Sequence, residues 1–279
     1  MRLLIGAVLL LSFGCALAQV DEVLRLSRDE LGRPVSLDTV IIRLSDDSGR
    51  IVDLVGAIHM AEPAYYDALN ARLAGYDWVL YELVGDPAAL DAPRAGGALS
   101  VIGLIQGGLT EALGLVHQLE AIDYSREHFV HADLDVDEFQ ASMRERQESW
   151  FQMLLRAWAL GLASADPSRE LAWLKVWFAP DRQLALKRLM AEELIGQIDL
   201  IDRLGGESGS TLIEVRNAHA LQTLDRVLST GARRVAIFYG AGHLPDLADA
   251  LERNSDFRRA GVEWLPAWSL SDGSDPGSG

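Results

Sequence analysis

Two histidines close short apolar runs in the same local context. Ile51-Val-Asp-Leu-Val-Gly-Ala-Ile-His59 and Val235-Ala-Ile-Phe-Tyr-Gly-Ala-Gly-His243 both end in Gly-x-x-His. Each is followed by a proline, Pro63 or Pro245, that opens an amphipathic stretch. Imidazole is the commonest protein ligand for metal ions. Two imidazoles with one carboxylate make an open metal site, of the kind that activates water. Glu82 ends the run Asp77-Trp-Val-Leu-Tyr-Glu82 and supplies that carboxylate, as ligand or as general base. Gly56 and Gly240 precede the histidines, where a missing Cβ lets backbone approach closely. A single Gly-x-x-His is as consistent with a helix cap or a filled turn; the pair points to a shared site.

Two further groups could join it. Arg216-Asn217 follows Thr211-Leu-Ile-Glu-Val215, which reads as a short strand. An arginine just past a strand end can hold a carboxylate or a developing oxyanion, or can pair structurally with Glu82 or Glu214. The segment from Ile122 to Asp133 carries His128, His131 and Asp133. His128 follows Arg126-Glu127 in a polar stretch and reads as exposed. His131 and Asp133 alternate as in an extended segment, so both are candidates for contact with the site. His117 and His219 lie within helical runs and read as packing or surface residues.

The elements that must position these groups are legible in part. Thr39 to Leu44 and Ile51 to Val55 are β-branched runs around the turn composition Ser45-Asp-Asp-Ser-Gly49, a hairpin pattern. Tyr65, Leu69 and Leu73 show helical spacing after Pro63, which suits a first helical position. Trp78 to Tyr81 follows as a strand. The unit is strand, Gly-x-x-His, helix, strand, a parallel crossover. It recurs with the strand Arg234 to Tyr239, a helix from His243 to about Arg253, and a last strand Val262 to Pro266, placed at an edge by its proline. The expected fold is α/β, with a mixed central sheet built from two such halves and an inserted, mostly helical subdomain over about 99–204. In the insert, Leu99 to Leu119 is glycine-rich, and Trp150, Trp158, Trp173 and Trp177 cluster as its core or as a lid over the site. Ligands in open α/β sheets sit beyond the carboxyl ends of the strands, where both histidines fall.

Arg2, the apolar run Leu3 to Leu11 and Ala16-Leu17-Ala18 match a signal peptide cleaved near Ala18, implying export to the periplasm or beyond. The rival is a lipoprotein anchored at Cys15, the single cysteine. The remainder reads as one domain over 19–270 with a polar tail over 271–279, disordered by composition. A net charge of −16 argues against nucleic acid and anionic membrane surfaces as partners. No segment after the leader is long and apolar enough to span a membrane. There is no Gly-x-Ser-x-Gly elbow, no dinucleotide fingerprint and no P-loop.

Taken in order, Val55-Gly-Ala-Ile-His59, Tyr81-Glu82-Leu83, Arg216-Asn217 and Tyr239-Gly-Ala-Gly-His-Leu-Pro245 resemble the TraB/GumN/TIKI family, related more distantly to erythromycin-esterase and ChaN-like proteins. The resemblance spans about Thr39 to Trp268. It implies an α/β core of two related halves and a metal-dependent protease activity with manganese or cobalt; zinc is the further candidate. It implies that His59 and His243 are the signature histidines, with Glu82 at the signature acidic position and Arg216 at the signature basic one. The expected site is therefore His59, His243 and Glu82 around a divalent ion. Arg216 would serve as oxyanion donor and Asn217 would orient the substrate. Gly56, Gly240, Tyr239, His131 and Asp133 would lie behind them. The substrate would be a peptide or small molecule. Two other readings stay open: a periplasmic binding protein for a peptide, haem or small ligand, and an esterase. Oligomeric state is not encoded in any of these features.

Overall fold

Strand β2 (Pro34–Ser45) organises the sheet, because its residues Leu37 to Ile42 are buried without interruption. Such a strand is covered on both faces, and its two polar members, Asp38 and Thr39, are bonded to Arg25, Ser27 and Ser36 and to Tyr65. The computed structural model describes residues 22–84, 110–146, 174–205 and 211–272. One edge of β2 is shared end to end by two antiparallel partners. Strand β1 (Leu24–Arg28) pairs from Leu24↔Thr39 onward, and β3 (Ile51–Ala57) pairs from Ile41↔Val55 to Ser45↔Ile51. The β2–β3 turn is the hairpin expected from sequence. Gly49 takes φ 78°, a left-handed position at little cost to glycine, while the Asp46 carboxylate accepts from the Arg50 N–H. Strand β9 (Arg258–Ser269) runs antiparallel along the other edge of β2, and it is an edge strand among the described residues.

Beyond β3 the sheet turns parallel. The order is β3, β8 (Arg234–Gly240), β5 (Trp78–Tyr81), β7 (Phe129–His131). The register Gly56↔Tyr239 and Ala57↔Gly240 sets the two Gly-x-x-His turns side by side. Tyr81 pairs with Phe238 on one side and with His131 on the other. The carboxyl ends of β3, β8, β5 and β7 therefore share one edge of the sheet. A two-residue pairing of β4 (Met60–Ala61) with β6 (Val116–His117) continues the chain just past that edge.

Helix α1 (Pro63–Leu73) starts at Pro63 as expected and buries Tyr65, Tyr66, Leu69 and Leu73. The short α2 (Gln118–Ala121) and α3 (Val136–Glu145) follow, the latter opened by a capping box between Asp135 and Glu138. Helix α4 (Arg182–Gly205) is tied to the sheet end by Lys187, whose Nζ donates to Glu62 Oε1 at 2.7 Å. Helix α5 (Arg216–Ser229) packs on β5, and α6 (Leu244–Asn254) packs on β2, β3 and β9. Gly56 is where α6 comes close. A Cβ there would sit 2.9 Å from the Val40 carbonyl oxygen and 3.1 Å from Leu244 Cδ2. Among the described residues no helix is long and apolar enough to cross a membrane.

The architecture is mixed α/β with a mixed central sheet, and three details differ from expectation. Thr211–Val215 is not a strand but a π-helical turn running directly into α5. A short apolar run does not reveal its period, and here Val215 packs against Leu134, Phe139 and Met143 instead of pairing in a ladder. The middle region is not only helical, since its three-residue β7 joins the main sheet beside β5. Finally, β3 and β5 are parallel but not adjacent, because β8 lies between them. The leader, the polar tail beyond 272, Gly103, Gly107 and Gly108, and Trp150, Trp158 and Trp173 lie outside the described residues. Trp177 is 66% exposed.

Candidate functional site

His243 is the best-defined member of the site. It sits in the 3-10 turn Ala241–His243 between β8 and α6 and is 5% exposed. Its Nδ1 lies 2.7 Å from Asn217 Oδ1, and Asn217 Nδ2 donates to the His243 carbonyl at 3.3 Å. The amide grips the same residue at two points, which fixes its orientation. Its oxygen can only accept, so Nδ1 carries the proton and Nε2 is bare in the neutral ring. Tyr239 packs edge-on against the imidazole with centroids 5.2 Å apart. Burial, opposed by Glu82 and reinforced by Arg216, pushes the imidazole down to about 4. The ring is therefore neutral near pH 7, as a metal ligand must be.

Glu82 follows β5 directly and faces that bare nitrogen. Its Oε2 accepts from the Gly240 N–H at 2.5 Å, and a Cβ on residue 240 would sit 3.2 Å from the same oxygen. Its Oε1 accepts from Arg216 Nη2 at 2.5 Å and lies 3.8 Å from His243 Nε2. Burial works to raise the carboxyl, but His243, once protonated in acid, the Arg216 charge and the bond from Gly240 outweigh it. The balance leaves Glu82 at about 2, and ionised.

Arg216 links the strand ends. Its Nε donates to Asp133 Oδ1 at 2.9 Å and its Nη2 to Asp133 Oδ2 at 2.7 Å, a bidentate fork on a carboxylate that is 1% exposed. Its Nη1 lies 3.4 Å from His243 Nε2. Burial alone would favour losing the proton, but Asp133 and Glu82 hold the guanidinium firmly cationic. The cluster is two carboxylates, one guanidinium and a neutral imidazole, so it carries an excess of negative charge in a poorly solvated place.

The other candidates fall into clear positions. His59 lies past the end of β3, exposed, and near enough to His243 for their charges to interact. Among the described residues its imidazole makes no hydrogen bond, while its carbonyl accepts from the Gln118 N–H at 2.9 Å. His131 does not reach the cluster. Its Nε2 bonds the Leu83 carbonyl at 2.7 Å and fixes the chain just after Glu82. His128 is half-buried against the Leu73 carbonyl, not exposed. The Tyr239 hydroxyl donates to the Ala132 carbonyl at 2.5 Å, holding the segment that carries Asp133. Sequence reasoning placed Asp133 only as a candidate beside His131 and gave Asn217 a substrate role. The structure makes Asp133 the anchor of Arg216 and Asn217 the orienting partner of His243.

Among the described residues no three His, Cys, Asp or Glu side chains gather closely enough to hold a divalent ion. Two do converge, the unprotonated Nε2 of His243 and the ionised Oε1 of Glu82 3.8 Å apart, and Arg216 contacts both. Ligand bonds of about 2.0–2.2 Å let one ion span donors up to ~4 Å apart. The second ring nitrogen is held by the Asn217 amide oxygen, an acceptor in the place where a ligating histidine needs one. His243 and Glu82 thus have the donor chemistry a metal would need once Arg216 gave way, and His59, on the same edge, has that of a third ligand. Comparison with protein-family models, with curated proteins and with solved structures found no match to this chain.

Proposed function

We propose that the protein is an exported, metal-dependent hydrolase acting on peptide bonds. The observation that carries the reading is the bare Nε2 of His243 facing the ionised Oε1 of Glu82 at 3.8 Å, at the carboxyl edge of the parallel strands. The excess negative charge of the cluster favours a cation there. The ordered resemblance to the TraB/GumN/TIKI motifs supports the same choice, with manganese, cobalt or zinc as the ion.

In this reading His243 and Glu82 would hold the metal, and His59 would have to move in to complete the set. A bound divalent ion supplies a water of lowered pKa and polarises the scissile carbonyl. Glu82, held at about 2, serves as ligand and not as general base, because a base works best with a pKa near the working pH. Arg216, pinned by Asp133, directs its Nη1 edge at the same space and stabilises negative charge developing on the substrate oxygen. Asn217 keeps the His243 lone pair turned toward the site.

The test is to purify the chain from Gln19 onward, measure bound metal after loading with each ion, and assay a peptide library by mass spectrometry. Stoichiometric metal and cleavage, both lost in His59→Ala and His243→Ala, are expected. A metal-free protein inert under every ion would refute the proposal. One observation favours a ligand-binding role instead: Arg216 already bridges both donors, contacting Glu82 Oε1 and lying 3.4 Å from His243 Nε2. Glu82→Gln separates the two, since a binder has no turnover to lose.

A further inference from the structure

Arg216 engages the two atoms that a metal would need. Its Nη2 donates to Glu82 Oε1 at 2.5 Å, and its Nη1 lies 3.4 Å from His243 Nε2. With the ring proton on Nδ1, facing Asn217 Oδ1, Nε2 keeps a single lone pair, and the guanidinium lies against it. One lone pair serves one partner at a time. A guanidinium contact and a metal bond at Nε2 therefore exclude each other.

Charge sharpens the exclusion. Glu82 and Asp133 bring two negative charges and Arg216 one positive, so the cluster already has a cation between its carboxylates. A divalent ion on Glu82 would meet that cation at close range, among side chains too buried for water to screen the repulsion. A lysine or histidine there could yield by losing its proton, but an arginine keeps its charge and can only turn away. Its grip is uneven in a way that permits this. Nε and Nη2 fork onto Asp133 at 2.9 and 2.7 Å, whereas the 3.4 Å contact with Nε2 is long for a hydrogen bond. Glu82 also holds its place without Arg216, because its Oε2 accepts from the Gly240 N–H. The Glu82 side chain is 16% exposed, against 8% for Arg216 and 6% for His243, so an ion arriving from solvent meets Glu82 first.

We propose that Arg216 is the resident cation of this site, competing with a divalent ion for Glu82 Oε1 and His243 Nε2. When such an ion is bound, Arg216 gives up both contacts and keeps Asp133. This rests on the metal reading given above and adds a condition to it. In the metal-free chain the guanidinium is engaged within the cluster, and the exchange turns its Nη1 edge free for a substrate oxygen. The oxyanion donor is therefore available only in the loaded chain.

The probes are manganese, followed by calorimetry, and zinc, followed by NMR of the guanidinium N–H signals in the 15N-arginine-labelled chain. Zinc should shift the Arg216 Nη–H signals and leave the Nε–H signal, held by Asp133, near its place. Arg216→Gln should bind manganese at least about tenfold more tightly than the natural chain, the least that one neighbouring charge does to a carboxylate's proton affinity. Arg216→Gln combined with Asp133→Asn spares the buried carboxylate, keeps the total charge of the cluster and should show the same tightening. Should neither variant fold, the zinc response of the Nη–H signals decides alone. Equal or weaker manganese affinity in a folded variant, or unmoved Nη–H signals in the zinc-saturated chain, would overturn the inference, and cleavage by the loaded chain would leave the hydrolase standing. Manganese bound by the variants and refused by the natural chain upholds the competition and sinks the hydrolase. Manganese and zinc refused by all three chains sink both.

Discussion

Replacing Asn217 with leucine tests the chemistry of His243 directly. Leucine keeps the γ-branched shape of asparagine, though it is bulkier, and forms no hydrogen bond. The change leaves the Nδ1–H of His243 without its partner at 2.7 Å, in a residue only 5% exposed, while the His243 carbonyl keeps the first N–H bond of α6. One unmatched buried polar group costs about 1–3 kcal/mol. With no acceptor for Nδ1, the proton is free to move to Nε2, where Glu82 Oε1 is 3.8 Å away. The lone pair is then lost to a metal, and affinity should fall about 10- to 100-fold, as it does when partners of a ligating histidine are removed. Asn217→Asp keeps an acceptor for Nδ1 and adds a negative charge, so the tautomer should persist and the imidazole should titrate at higher pH. Long-range 15N–1H NMR on labelled histidine reads the tautomer, and calorimetry with manganese reads the affinity. A wild-type His243 carrying its proton on Nε2 would refute the reasoning. So would an Asn217→Leu variant with unchanged tautomer and metal affinity.

Asp133→Asn should destabilise the protein by about 3–5 kcal/mol in urea unfolding at unchanged m-value, because it strips Arg216 of a buried ion-pair partner. A loss below 1 kcal/mol would mean that Glu82 alone can hold the guanidinium. Gly56→Ala forces a Cβ to 2.9 Å from the Val40 oxygen and should cost about 1–3 kcal/mol, read as a lowered Tm. Stability should also depend on pH in a defined window. Both Glu82 and His243 titrate lower in the folded state than unfolded, so the unfolded chain binds more protons between them. Their contribution is present in full above about pH 6.5 and is lost as pH falls from there toward about 2. For this coupled pair the loss is on the order of 3 kcal/mol, from unfolding free energies across pH, and Glu82→Gln should flatten the acid end.

Much of this site was legible because its signals are local. Gly-x-x-His after an apolar run states both a strand end and a ligand, and the register Ala57↔Gly240 brings the two copies together. Glu82 was legible for the same reason, as the polar residue closing an apolar run. What was illegible depends on partners distant in sequence. Thr211 to Val215 has strand composition, yet its packing against α3 makes it helical. Strand β7 is only three residues long, too short to show a period, and is recruited by the edge of β5. The role of Asn217 follows from where α5 crosses the turn after β8.

The position of β8 has a consequence for how the molecule comes to exist. The first strands of the sheet are made early, yet the strand between β3 and β5 is among the last to be synthesised. Until residues 234–240 arrive, β3 and β5 lack the neighbour that joins them, and Glu82 lacks the Gly240 N–H it accepts from. Closing so long a loop costs entropy before any contact repays it, so folding should be slow and nearly all-or-none, with the charged cluster assembling at the end. A nascent chain stopped short of β8 therefore carries the residues of the chemistry without the geometry to perform it.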